Sequence, residues 1–236
     1  MLWPAGTTRD TAAMPEPTAV LVFAKAPIPG RVKTRIAPVL GAEGAARLYK
    51  RVATHCLETA IAARVGPVEL WCAPDTTHPW FAALAKRYGL RLAPQQGQNL
   101  GERMHNALAD ALGRYGQSIL IGTDCPALTR EDLAQAHAWL AEGLDAVFGP
   151  AEDGGYTLVG LRRAEIALFQ DIAWSTERVM AATRDRLRSV GMRFAELPMR
   201  WDLDRSEDLD RLAADPRLGH LLEGIAGAGA QGEKGA

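Results

Sequence analysis

The chain has 236 residues, 47% of them hydrophobic, with 27 basic against 28 acidic side chains and a net charge of −1. That length buries a substantial core and suits one large domain better than two small ones. The near-neutral balance argues against a dedicated nucleic-acid binder, which normally carries a basic excess or a long basic face. Cys56, Cys72 and Cys125 lie far apart and match neither a disulfide framework nor a zinc site, so a reducing cytoplasm is the expected location. No apolar run reaches the roughly 18–20 residues a membrane span requires. Residues 1–17 lack the basic and apolar regions of a secretory signal and read as a flexible leader, with Met14 as an alternative start. Residues 224–236, rich in Gly and Ala, read as a flexible tail, which leaves 18–223 as the organised domain.

In chain order, TAVLVFA (18–24) is a short apolar run that suits a strand buried on both faces. Ala45, Leu48, Tyr49, Val52, Ala53, Cys56, Leu57 and Ala60 then fall at helical spacing. VELWCA (68–73) predicts a strand, 79–88 an amphipathic helix, 90–93 a short strand and 100–115 a helix. QSILIG (117–122) predicts another strand, and Thr129 with Asp132 forms an imperfect capping box for the helix that follows. Strands are expected at 145–150 and 156–161, and Ser175 is expected to cap a helix running to about 189 and closed by Gly191. A late strand in MRFAELP and a helix over 207–213 capped by Ser206 complete the pattern. Alternating strands and helices predict a three-layer α/β/α fold around a mostly parallel sheet, whose ligands bind beyond the carboxyl ends of the strands.

Three polar segments follow predicted strands and are the candidate site. The first, KAPIPGRVKTR (25–35), gathers Lys25, Arg31, Lys33 and Arg35 on a loop stiffened by two prolines, with Gly30 permitting a tight bend or close approach of backbone to a ligand. Cations held that close repel one another unless an anion sits between them, and a nucleotide diphosphate suits Arg and Lys together. The loop matches neither GxxxxGK[ST] nor GxGxxG, so solvated surface charge remains an equal reading of it. The second, TDCP, places Asp124 where a carboxylate can hold Mg²⁺ or Mn²⁺. Asp202 or Asp204 of WDLD can complete that shell, although Asp204 can equally help start the helix near Ser206. The third, AEDGGY (151–156), offers Glu152 and Asp153 as acceptors of sugar hydroxyls or as a base, ahead of a glycine pair suited to a hairpin. Cys125 lacks a histidine placed by sequence to activate it and reads as a small buried residue.

In order along the chain, FAKAPIPGRVKTRI, LGERM, GTDCPALT, GPAEDGGYTLVGL and WST resemble a bacterial family of glycosyltransferase-like proteins labelled selenodomain-associated transferases. That family is similar to the nucleotide-diphospho-sugar transferase superfamily with the GT-A fold, and the resemblance spans about 19–210. It implies a nucleotide-binding first strand and loop, falling on Ala24, Lys25, Gly30, Lys33 and Arg35, and a metal-binding carboxylate at Asp124. GT-A enzymes usually carry D-x-D where this chain has T-D-C, so the second ligand must come from elsewhere, with Asp202 or Asp204 as candidates. The resemblance also implies that Asp153, Gly154 and Gly155 line the acceptor or sugar side with Trp174, Ser175 and Thr176 nearby, and that Arg103 contacts the nucleotide or phosphate. Before LGERM the family pattern calls for an acid, and this chain has Asn99.

Three functions are compatible with these residues. The leading one is metal-assisted transfer from a nucleotide-diphosphate sugar to an acceptor. In it Lys25, Lys33 and Arg35 hold the diphosphate, and Asp153 or Glu152 orients or deprotonates the acceptor. The alternative is a nucleotidyltransferase that joins an NTP to a phosphorylated small molecule and releases pyrophosphate; the single glycine of the cationic loop fits it less well. The third is a non-catalytic nucleotide-binding module.

Overall fold

The computed structural model describes residues 18–225. The leader expected at 1–17 and the tail beyond residue 225 lie outside the described residues. Strands β1 (Thr18–Lys25), β2 (Val68–Ala73), β3 (Arg91–Pro94), β4 (Gln117–Ile121), β5 (Ala146–Pro150), β6 (Tyr156–Leu161) and β7 (Phe194–Glu196) form one sheet in the order β3-β2-β1-β4-β6-β5-β7. β1 pairs in parallel with β2 and β4, β2 with β3, and β5 with β7. β6 alone runs antiparallel to its neighbours β4 and β5. The five residues 151–155 between β5 and β6 are too few for a crossover, so these two strands can only form a hairpin.

β1 shows why the sequence makes this sheet. Val20, Val22 and Ala24 point into one apolar cluster and Ala19, Leu21 and Phe23 into the other, so the strand is buried on both faces. Helices α1 (Ala37–Ala63), α2 (Pro79–Tyr88), α4 (Arg130–Ala141) and α6 (Asp208–Ala214) contribute to the first cluster. Helices α3 (Leu100–Leu112) and α5 (Val179–Ser189) contribute to the second, and the three-layer α/β/α architecture follows. The chain winds outward from β1 to β3, then returns across β1 to β4, so strand order reverses between β1 and β4.

Several local expectations hold. Thr129 and Asp132 form a complete capping box on α4. Gly191, with φ of 65°, follows the last turn of α5, and Met192 N–H donates to the Leu187 carbonyl. Trp71 and Trp80 are core residues. Two caps do not hold. α5 begins at Val179 rather than at Ser175, which itself sits at φ of 64°; the Gly154 carbonyl accepts the Met180 N–H at 2.8 Å and supplies the partner a serine cap would have given. At α6, Ser206 makes no cap; the Asp208 carboxylate instead accepts backbone N–H groups from Asp204 and Arg205. α1 starts earlier than the apolar periodicity suggests, at Ala37, and is broken at Gly41, whose φ of 69° lies outside the helical region.

Candidate active site

The first segment of the site leaves β1 at Lys25, whose N–H donates to the Tyr49 hydroxyl at 2.7 Å. Thr123, just after β4, donates to the Phe23 carbonyl and lies 3.1 Å from the same tyrosine hydroxyl. This chain of hydroxyls stitches β1, α1 and the turn after β4 together at the point where strand order reverses. In the cationic loop, Val32 and Ile36 are buried and act as anchors, while Gly30, Arg31, Thr34 and Arg35 remain exposed. Gly30 adopts φ of 76°, a conformation glycine takes without a steric penalty.

Lys33 departs from this pattern. Its backbone takes φ of 48°, unusual for a residue with a side chain, and turns the ammonium inward. The side chain is 2% exposed and donates to Asp124 Oδ1 and to the Leu203 carbonyl. Leu203 N–H in turn donates to the Asp124 carbonyl at 2.8 Å, so the TDCP and WDLD turns are tied together at the backbone. Arg35 pairs with Asp204 at the surface. Asp204, a candidate metal ligand or part of a helix start, lines the cleft with its Oδ2 paired to this arginine.

These segments enclose a cleft of about 490 Å³. Four cations (Lys25, Arg31, Lys33, Arg35) and four carboxylates (Asp124, Asp153, Asp202, Asp204) line it. Tyr156, Met104, Leu100, Trp174 and Val179 form an apolar wall. A mostly apolar recess of about 230 Å³ adjoins it, sharing Lys25, Tyr49, Asp124 and Asp202 and running in among Phe23, Leu120, Leu158 and Val159.

Asp202 is the electrostatic focus of the cleft. Burial, followed by the nearby charges of Asp124 and Asp153, pushes its pKa up to about 7. Its carboxylate accepts no hydrogen bond from any described residue. Asp124 and Asp202 thus share a single ammonium, Lys33, between two carboxylates, which leaves room for a hard divalent cation. Among the described residues no group of three His, Cys, Asp or Glu is arranged to hold an ion by itself. Two carboxylates fit Mg²⁺ or Mn²⁺ when phosphate oxygens of a ligand complete the shell, the usual arrangement for Mg²⁺.

The remaining expected residues divide. Asp153 and Gly155 line the cleft, and Asp153 Oδ1 accepts the Gly155 N–H at 2.8 Å. Glu152 does not line it: both carboxylate oxygens are held by Arg211 at 2.6 and 2.8 Å. Gly154 is needed for packing, because a Cβ there would come within 2.2 Å of the Glu177 carbonyl oxygen. Arg103 is not among the residues lining the cleft and donates to the Gly97 carbonyl at 3.0 Å. Ala24 is buried within β1, and its carbonyl accepts from the Gln95 amide at 3.3 Å. Asn99 caps α3, accepting the Glu102 N–H at 2.9 Å, a task Asn and Asp perform equally well. Cys125 is buried, and burial with nearby Asp202 raises its pKa, so it supplies no nucleophilic thiolate. Sequence reasoning missed Tyr49, read only as a core position of α1, and the apolar wall of Leu100, Met104 and Tyr156.

The sheet order, the single antiparallel strand and a charged cleft at the switch point define an α/β protein of the nucleotide-diphospho-sugar transferase, GT-A-like fold. The chain belongs to the family described as "Uncharacterized protein conserved in bacteria (DUF2064)", which matches residues 56–176. A crystal structure from Desulfovibrio desulfuricans G20, provisionally named a nucleotide-diphospho-sugar transferase, is 31% identical over 84% of this chain and 88% of its own, with a TM-score of 0.76. CMP:2-keto-3-deoxy-manno-octonic acid synthetase complexed with CTP shares the fold at 11% identity, over 84% of this chain and 97% of its own, with a TM-score of 0.55. So does Rv0371c complexed with manganese from Mycobacterium tuberculosis H37Rv, at 17% identity over 83% and 96%, with a TM-score of 0.50. No curated protein matches the chain. Among the described residues no helix is long and apolar enough to cross a membrane.

Proposed function

We propose that this chain is a glycosyltransferase that uses a nucleotide-diphosphate sugar together with Mg²⁺ or Mn²⁺. The observation that carries the reading is the meeting of the cationic loop with the under-neutralised pair Asp124 and Asp202 at the β1–β4 switch point. Lys25 and Arg31, which make no side-chain ion pair among the described residues, are the first contacts for the diphosphate; Lys33 and Arg35 reach it by exchanging their present carboxylate partners. Asp124 and Asp202 would hold the metal, which when bound supplies Lewis-acid stabilisation of the leaving diphosphate. The manganese complex of Rv0371c and the name carried by the Desulfovibrio protein support this assignment. Asp153, exposed at the cleft with only one oxygen engaged, orients the acceptor hydroxyl or takes its proton. The selenodomain-associated label and a cytoplasmic location belong to the same reading.

A nucleotidyltransferase would use the same cleft. Charge balance favours the sugar-nucleotide: cations and carboxylates lining the cleft are equal in number, and a divalent ion cancels a diphosphate diester but only part of a triphosphate. The test is a product assay. The protein, Mn²⁺ and a panel of nucleotide sugars with candidate acceptors are predicted to release nucleoside diphosphate. Pyrophosphate released from an NTP and a phosphorylated partner would establish the alternative instead, and nucleotide binding without turnover in either assay would favour a non-catalytic module.

A further inference from the structure

We infer that Lys33 is a built-in counter-cation that occupies the metal side of Asp124 until a divalent ion and a diphosphate arrive together. The inference rests on the metal–diphosphate reading of the cleft and adds a rule for how it is loaded.

The loop is shaped to place this one ammonium inside. Residues on either side of the pair Val32–Lys33 point outward, whereas Lys33 adopts a left-handed backbone with its side chain 2% exposed. Backbone N–H groups of Ile36 and Ala37 both donate to the Lys33 carbonyl, fixing that bend. Its partner is held less tightly. The Asp124 side chain is 52% exposed, and Lys33 engages only Oδ1. Oδ2, and the unpartnered carboxylate of Asp202, therefore remain open to an incoming cation.

A divalent ion arriving alone meets those oxygens with a buried ammonium already on the same carboxylate. The two cations repel at short range in a partly desolvated site, where the repulsion is strong. A diphosphate arriving alone meets Lys25 and Arg31 but also uncompensated carboxylates. When both arrive, a phosphate oxygen gives Lys33 a new anionic partner as the ion takes over Asp124. Each ligand thereby removes the obstacle to the other, which is positive coupling between two ligands and is reciprocal.

The experiment measures Mn²⁺ binding by the full chain, stripped of metal with EDTA, from the electron paramagnetic resonance signal of the free ion. Inorganic pyrophosphate serves as a base-independent diphosphate probe, and because it chelates Mn²⁺ itself, each titration is referred to a protein-free one at the same pyrophosphate concentration. The wild type is predicted to bind Mn²⁺ about tenfold more tightly with saturating pyrophosphate than without it, a coupling within the usual range. Lys33→Met is predicted to bind Mn²⁺ alone about tenfold more tightly than wild type and to lose most of the pyrophosphate enhancement. Lys33→Gln is carried in parallel in case the methionine variant does not fold. Unchanged or weaker Mn²⁺ binding in the folded Lys33 variants overturns the inference. So does equal wild-type affinity with and without pyrophosphate, whatever the variants do. Asp124→Asn separates the two levels: if it binds Mn²⁺ as wild type does, the metal assignment itself fails; if it loses Mn²⁺ while the Lys33 variants gain nothing, only the exchange fails.

Discussion

Two charge clusters lie at opposite ends of the same sheet, and they are built differently. At the amino-terminal edge Glu69 of β2 is buried, yet its carboxylate is fully satisfied: it accepts from Trp71 Nε1, from Arg91 and from two nitrogens of Arg114. At the carboxyl-terminal edge Asp124 shares one lysine, and Asp202 has no hydrogen-bond partner among the described residues. A fully partnered buried carboxylate has nothing left to offer a ligand and serves the fold. A cluster left short of positive charge costs the free protein stability and is repaid when a cation binds. On the proposed reading, the incompleteness of the second cluster is what makes it the ligand-binding one.

The largest expected effect tests the structural end. Arg114→Leu leaves the buried Glu69 carboxylate with Arg91 and the Trp71 indole N–H only, and is predicted to cost about 3 kcal/mol in urea unfolding, with Mn²⁺ binding unchanged. A cost near zero would remove the distinction between the clusters. Next in size, Asp124→Asn is predicted to weaken Mn²⁺-dependent nucleotide binding about 100-fold, equivalent to about 2.7 kcal/mol, while the melting temperature without ligand stays close to wild type. Titration calorimetry on folded protein checks this.

Asp202 sharpens the comparison through pH. Its folded pKa of about 7 stands above the ordinary 3.8, so the folded state disfavours the ionised carboxylate. The penalty is small near pH 4, grows as pH rises and is complete above about 7. In EDTA, Asp202→Asn is therefore predicted to raise the melting temperature by a few degrees at pH 8 and far less at pH 4.5. Equal shifts at both values would contradict the electrostatic account. The smallest effect is reserved for Glu152: Glu152→Gln breaks an exposed pair with Arg211, costs about 0–1 kcal/mol and leaves ligand binding intact.

Much of this frame was legible in the sequence because it depends on local patterns. The apolar run of β1, the capping box at Thr129 and the polar turns after β1, β4 and β5 each declare themselves within a few residues. What sequence did not reveal were long-range substitutions of one partner for another. Ser175 and Ser206 look like caps, but the Gly154 carbonyl and the Asp208 carboxylate do the bonding. Glu152 and Asp153 are adjacent and alike in sequence, yet a distant Arg211 claims one and the cleft keeps the other. Likewise Lys33 reads as one of four similar loop cations, and only its backbone conformation turns it inward. Tyr49 looks like core because it is core; its hydroxyl reaches the site through contacts with Lys25 and Thr123 that no local pattern encodes.

On the proposed reading, the Asp124–Asp202 cluster binds a metal and a sugar-nucleotide diphosphate together. The most direct measurement is thermal stability against UDP-, GDP-, ADP- and dTDP-sugars and free NTPs, with and without Mn²⁺, for wild type and Asp124→Asn. A ligand at about 100 times its dissociation constant adds about 2.7 kcal/mol of stability, a clear melting shift. A Mn²⁺-dependent shift is expected with at least one nucleotide sugar in the wild type and none in Asp124→Asn. A shift that ignores Mn²⁺ or survives the substitution, or no shift with any ligand in the panel, would contradict that reading.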